Sequence, residues 1–487
     1  MKNIKSGFNF DNTYINLNSK MSSVMNLKNT YDASVEVLND NLIEELDLNS
    51  KYLQSEEGIK LLSGSINEEV TSGFAQAYSG HQFGYFTNLG DGRALVLGEH
   101  VTKSGNRFDI QLKGSGLTPY SRRGDGKATL SSMLREYLIS ETIHYLNIPT
   151  TRSLAVLKTN EKVRREIMHD GAILVRVAKS HIRVGTFEYA YSNNDYNEVK
   201  KLADYTINRH YSQFDNADNK YYKFLLEVIS NQASLIAKWQ SIGFIHGVIN
   251  TDNVLISGET IDYGPCAFMN EYNPKTVFSS IDKQERYAYM NQPYIGSWNL
   301  ARFIETLVPL LDKSKERAIE LANAALTVYE EKYNEFWMSE MALKIGIIEV
   351  VEEDRILIND LLNIMEMKSL DFTNTFRLLT LRDYSKLNLI ESKELIEWIK
   401  KWENRLKKQK IKIDEAIIIM KKHNPNLIPR NELVEEALSN VIKSNDYGLF
   451  NKLLVLLNDP YNYDIEYDIK FTQHKKNNKK HVTYCGT

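Results

Sequence analysis

The sequence predicts an α+β fold of two lobes, the first rich in strands and the second large and helical. Three observations predict it. Between residues 73 and 112 glycine is dense and separates short apolar runs of strand length. From about 297 to 458 apolar residues recur at helical spacing. Between these regions stands His246-Gly247-Val248-Ile249-Asn250-Thr251-Asp252-Asn253, followed by Asp262-Tyr263-Gly264, a string of oxygen-bearing groups near the start of the helical part.

Residues 1–70 are mixed and Asn-rich, with Phe8, Phe10 and Tyr14 as apolar anchors, and read as an N-terminal extension packed on the rest. Residues 71–187 make the first lobe. Its clearest strands, at 94–97 and 108–112, flank a Ser104-Gly105-Asn106 turn. Leu130, Met133, Leu134, Tyr137, Leu138 and Tyr145 place a helix at about 128–147, with Pro149 beyond its end. A further strand at 172–177 is apolar except for Arg176.

Residues 188–487 form the helical lobe. Leu225, Val228, Ile229, Leu235, Ile236 and Trp239 share one helix face that stops at Gly243. After Asn253, two short apolar runs around Ser257-Gly258-Glu259 suggest a small hairpin with Asp262 on its exit. Helices at 298–311 and 395–402 follow, and a Lys/Asn-rich run at 475–480 precedes Tyr484-Cys485-Gly486-Thr487.

Lys plus Arg number 60 against 63 Asp plus Glu, a balance that argues against nucleic-acid or membrane attraction. No apolar run approaches the roughly 18 residues that a membrane helix needs. The opening Met1-Lys2-Asn3-Ile4 lacks a signal-peptide core, and two cysteines in 487 residues suit a reducing compartment. A cytoplasmic enzyme is the expectation.

The His246 string matches the protein-kinase catalytic loop in spacing but not in content. In H-R-D-x-x-x-x-N followed by D-F-G, the first Asp takes the substrate proton, and the Asn and second Asp hold metal. Here Val248 stands where that base belongs, while Asn253 and Asp262 keep the oxygen donors that Mg²⁺ or Mn²⁺ prefers. Asp252 is the obvious alternative base. Lys113 ends the 108–112 strand as a kinase phosphate-contacting Lys does, with Glu136 on the following helix as partner; Glu141 and Glu99 are the other options. Gly90-Asp91-Gly92-Arg93 reads as a phosphate-approaching turn or a tight hairpin, and Ser121-Arg122-Arg123-Gly124-Asp125-Gly126-Lys127 as a phosphate loop or a solvated one. Arg176, inside an apolar strand, needs a buried acid or a ligand phosphate, and Arg183 is similar.

The chain resembles the selenoprotein O family of protein-kinase-like enzymes. The strings that carry the resemblance are Phe74-Ala75-Gln76-Ala77-Tyr78-Ser79-Gly80-His81-Gln82-Phe83-Gly84, Asn88-Leu89-Gly90-Asp91-Gly92-Arg93-Ala94, Gln111-Leu112-Lys113-Gly114-Ser115-Gly116, Tyr120-Ser121-Arg122-Arg123-Gly124-Asp125-Gly126, and the His246 and Asp262 motifs. The resemblance implies a kinase-like fold and protein adenylylation: AMP passes from ATP to a Ser, Thr or Tyr hydroxyl of a protein, releasing pyrophosphate. It implies that Gly90, Gly92, Arg93, Lys113, Asp125, Gly126, Arg176, Arg183 and Asp262 line the nucleotide site. Lys113 would pair with Glu136, Arg176 and Arg183 would hold an inverted γ-phosphate, Asn253 and Asp262 would bind metal, and Asp252 would be the base. Some bacterial members use UTP with Mn²⁺, so uridylylation is a second option. A phosphoryl-transferring kinase and a non-catalytic nucleotide-binding module are the others. The resemblance also implies a terminal-cysteine disulfide, for which Cys485 and Cys266 would be the partners.

Overall fold

A computed structural model describes residues 5–27, 32–67, 69–193, 196–384, 392–474 and 481–483. It is a mixed α/β architecture built on one antiparallel sheet. The strands lie in the order Ser22–Asn26, Ser72–Gln76, Ala94–Val101, Arg107–Lys113, Met168–Ala178, Arg152–Arg164 and Ala33–Leu38, and the short Ala128–Thr129 pairs with Met168–Ala178. The polar N-terminal region therefore supplies both edge strands. It also supplies three helices, Asp40–Glu45, Ser50–Leu53 and Glu56–Ser63, whose first turns are capped by Asn39, Asn49 and Ser55 side chains.

Strand alternation decides what each face of the sheet does. Ile110, Leu112, Val175 and Val177 point into a core shared with Leu42, Ile43, Leu61 and Leu62 of those N-terminal helices. Gln111, Lys113 and Arg176 fall on the other face, with Gln111 directly across from Arg176. The helix Leu130–Tyr145, capped by Thr129, packs against that second face. Its Met133, Leu134 and Leu138 join Val156 and Leu174 in a common core, which sets Glu136 beside the sheet's charged positions.

In the helical half, Lys220–Ser241 packs against Gln292–Leu311 and Lys315–Lys344. Gly296 permits the close approach: a Cβ there would stand 2.3 Å from Ile236 Cδ1 and 2.5 Å from the Tyr329 hydroxyl. A separate core gathers Trp398 and Trp402 with Leu361, Phe372 and Phe376. Lys344 is buried at its edge, its ammonium 4.2 Å from the centroid of the Phe376 ring, and burial pulls its pKa down to about 7. Helices Asn431–Ser444 and Gly448–Leu457 return to pack on Leu130–Tyr145. Among the described residues no helix is long and apolar enough to cross a membrane.

The segment after Asn253 differs from the expected hairpin. Val184 donates its N–H to Val254 O, Ile256 to Ile182 O, and Thr260 to Pro149 O, so 254–260 is laid along first-lobe segments instead of folding on itself. The turn itself forms, with Gly258 N–H donating to Leu255 O at 3.1 Å, but its flanks pair with those segments and leave Leu255, Ile256 and Ile261 fully buried.

Candidate active site

Four side chains from four elements meet in the cleft. Lys113, on the sheet, donates to Glu136 Oε2 at 2.6 Å and also to Asp262 Oδ1. Arg176 bonds Glu136 Oε1 through Nη2 and, at 3.1 Å, through Nε, and it reaches Gln111 Oε1 at 3.2 Å and Asp262 Oδ1 at 3.5 Å. The acid that Arg176 needed is therefore Glu136. The other options for Lys113 are engaged elsewhere: Glu141 pairs with Arg152 at 2.8 Å, and Glu99 with Arg209 at 3.1 Å.

Burial disfavours every charge in this cluster, and each is held by its neighbours. It pulls the Lys113 ammonium down against the opposing pull of Asp262 and Glu136. It pushes Glu136 up, but Arg176 and Lys113 more than offset it and leave the carboxyl below its ordinary value. Asp262, one-third exposed, also feels desolvation, yet Lys113, Arg176 and Arg93 hold it well below the usual carboxylate range. Asp262 also adopts φ +69°, a left-handed conformation that turns its carboxylate back toward Lys113.

The glycine turn and the basic loop fold onto each other. Gly90, at φ +118°, lies so close to Tyr120 that a Cβ would be 2.5 Å from its ring. Thr118 Oγ1 donates to Asp91 O at 2.6 Å, Ser121 Oγ to Gly92 O, and Gly116 N to Gly126 O at 3.0 Å. Gly90, Gly92 and Gly126 thus belong to one assembly, with the half-buried Arg93 leading from it toward Asp262. Asp125 sits at its exposed lip, paired with Arg165 at 2.7 Å, and Arg122 and Arg123 are exposed.

On the helical side, His246 Nε2 bonds Ile261 O at 2.8 Å, which ties the loop to the Asp262 segment. Asn253 turns its amide to Val248 O at 3.0 Å. Arg183 bonds Asp252 O at 2.8 Å, lies 3.6 Å from Asp91 Oδ1 and stacks over Tyr78 at 4.3 Å. Asp252 is buried, and Oδ1 of its carboxylate has no hydrogen-bond partner among the described residues. Burial raises Asp252 to about 6, with Arg183 opposing.

One site element carried no assigned role in the sequence reading: the hairpin Ser79–Gln82 and Tyr85–Asn88. It grips the loop at Asn250, Thr251 and Asp252. His81 N donates to Thr251 Oγ1 at 2.7 Å and Phe83 N to Asn250 Oδ1 at 3.1 Å, while Gln82 faces the Asp252 carboxylate. A Cβ on Gly80 would be 2.5 Å from Asp252 Oδ1. Beneath it Glu188 accepts from Thr251 Oγ1 at 2.6 Å and bonds His81 Nδ1. The sequence held one signal for this, the polar triplet Gly80-His81-Gln82 just before the Phe83-Gly84 turn.

Cys266 is fully buried, donates to Tyr263 O at 3.4 Å, and burial pushes its thiol up to about 12. Thr483 Oγ1 bonds the neighbouring Pro265 O at 2.7 Å; Cys485 and the 475–480 run lie outside the described residues. The described residues contain no group of three or more His, Cys, Asp or Glu able to hold a metal. Asp262 and Asn253 remain as two hard oxygen donors, a set that suits a cation whose other ligands come from a nucleotide.

The family profile described as "Protein adenylyltransferase SelO" matches residues 5–458 of this chain. A "Protein nucleotidyltransferase YdiU" of Clostridium botulinum (strain Eklund 17B / Type B) is 53% identical over 479 residues, covering 98% of both chains. That of Geobacillus kaustophilus is 51% identical with 99% of each chain covered, and that of Bacillus cereus (strain G9842) 49% identical with 100% of each.

Proposed function

The chain belongs to the SelO family of protein adenylyltransferases, and from that premise we propose how its cleft moves AMP from ATP to protein hydroxyls. In this reading the two halves form a kinase-like pair of lobes with the nucleotide between them. Lys113, positioned by Glu136, contacts phosphate, as do Arg176, Arg183 and Arg93. The backbone of Gly90, Gly92 and Gly126 lets the nucleotide approach closely, with Asp125 at the rim. Asn253 and Asp262 would hold Mg²⁺ or Mn²⁺, which when bound supplies positive charge to the phosphate oxygens.

The single observation that carries the reading is the unpartnered, buried carboxylate oxygen of Asp252, raised to about 6 and packed against Gly80. A base that must accept a proton near neutral pH needs such a value and such a vacancy. The acceptor hydroxyl gives its proton to Asp252 while its oxygen bonds the α-phosphorus. The bond from that phosphorus to the bridging oxygen breaks, and pyrophosphate leaves. Val248, 8% exposed and apolar, takes no part in proton transfer.

The test is paired labelling with ATP carrying label at either the α or the γ phosphate, in Mg²⁺ or Mn²⁺. Label arriving on protein from the α position alone is expected. Label from the γ position alone makes the enzyme a kinase and overturns the reading. The same assay with α-labelled UTP measures which nucleotide is preferred.

A further inference from the structure

We propose that Arg286, held over Trp298 beside the catalytic loop, recognises a carboxylate on the acceptor protein close to the hydroxyl that is modified. This rests on the adenylyl-transfer reading above, in which the acceptor reaches Asp252 past the 79–88 hairpin. The buried Asp282 fixes the backbone here, accepting the N–H of Arg286 at 2.9 Å and of Tyr287 at 2.8 Å. The Arg286 guanidinium then lies 4.8 Å from the Trp298 ring centroid and 5.7 Å from that of Tyr287. It also borders the hairpin turn, where a Cβ on Gly84 would be 3.9 Å away. Tyr287 in turn donates its hydroxyl to Asn250 Oδ1, the oxygen that also takes the Phe83 N–H. A short chain of contacts therefore fixes Arg286 relative to the loop that carries Asp252.

What sets this arginine apart is its missing counter-charge. Arg302, on the same tryptophan at 5.2 Å, pairs with Glu305 at 2.6 Å. Among the described residues no carboxylate lies within ion-pair distance of Arg286, and its Nε is shielded without a hydrogen-bond partner. A half-buried guanidinium held over an indole is pre-organised to take a carboxylate on its N–H groups. The surroundings suit a protein surface: Tyr85 is 79% exposed, Phe86 47% and Tyr294 68%. The occupant is an acidic stretch of the acceptor, with aromatic contact around a central ion pair.

The test uses the full chain, α-labelled ATP with Mg²⁺ or Mn²⁺, and two acceptor probes: a random Glu/Tyr copolymer and a random Lys/Tyr copolymer. The wild type is expected to label the Glu/Tyr copolymer with kcat/KM at least about tenfold above the Lys/Tyr copolymer. Arg286→Glu should reverse that order and Arg286→Met should level it, and the change should fall on the acceptor's KM instead of that for ATP. Arg286→Met keeps the apolar stem over Trp298, so it serves if the charge reversal fails to fold. Equal labelling of both copolymers by the wild type overturns the inference, as does an undiminished preference in a folded Arg286→Met. If the wild type releases pyrophosphate with neither copolymer and takes no label from the α position, the transfer reading falls and this inference falls with it.

Discussion

The two walls of the cleft are held in place by different physics. On the proposed nucleotide side, Lys113, Glu136 and Arg176, all buried, and the half-buried Asp262 hold one another through charge, each paired more than once. On the acceptor side, the catalytic loop is held by a hairpin through neutral contacts: backbone N–H groups, the Thr251 hydroxyl, the Asn250 amide and a glycine with no room for a methyl. In the proposed reading the first wall meets phosphate, so its charges are its function. In the same reading the second leaves Asp252 free to accept a proton, and its supports form no ion pair with that carboxylate.

Substitutions can break this contrast. Asp262→Ala should be the most severe, removing both the proposed metal donor and a partner of Lys113 and Arg176. Transfer should fall at least about 1,000-fold and metal-dependent nucleotide binding should vanish in calorimetry, whereas wild-type transfer would remove Asp262 from the mechanism. Gly80→Ala probes the other wall. Its methyl displaces Asp252 and should cost roughly 100-fold in transfer, with nucleotide affinity kept within about twofold. Loss of nucleotide binding in that variant would erase the division between the walls.

Glu136→Gln comes next. It strips Lys113 and Arg176 of a shared acid and should lower stability by about 3 kcal/mol in urea titration while raising the KM for ATP roughly tenfold. The smallest effect on activity belongs to Lys344→Met, which sharpens the comparison from outside the cleft. Lys344 is buried like Lys113 but has aromatic rings where Lys113 has two carboxylates, and its pKa drops to about 7. Its folded value lies below its unfolded one, so the unfolded chain binds more protons between about pH 7 and the ordinary lysine range, and stability rises with pH across that window. Lys344→Met should therefore stabilise by roughly 2–4 kcal/mol at pH 7, with the gain shrinking toward pH 10. A gain independent of pH would show that Lys344 is charged in the folded state.

The same division explains what the sequence disclosed. Lys113 and Glu136 were legible because each sits on an element with clear periodicity, 23 positions apart on adjoining elements. Arg176 announced that it needed an anion because a guanidinium in an apolar strand has no other explanation. The hairpin's role was hidden because its bonds to Thr251 and Asn250 span 170 and 167 residues, and backbone donors leave no mark in side-chain identity. The edge strands Ser22–Asn26 and Ala33–Leu38 were obscured by their polar, half-exposed composition. The expected hairpin at 254–261 kept its turn but not its pairing, because its flanks bond to Ile182, Val184 and Pro149, partners far away in sequence.

The Lys113–Asp262 bond joins the sheet to the helical half, so a nucleotide bound as proposed would be a fastener between them. Heat must unseat it before the halves part. A ligand at about 100 times its Kd would add roughly 2.7 kcal/mol to the cost of unfolding. The melting temperature then becomes a ruler for nucleotide choice: ATP and UTP, each with either cation, can be ranked on the bare enzyme before any acceptor protein is in hand.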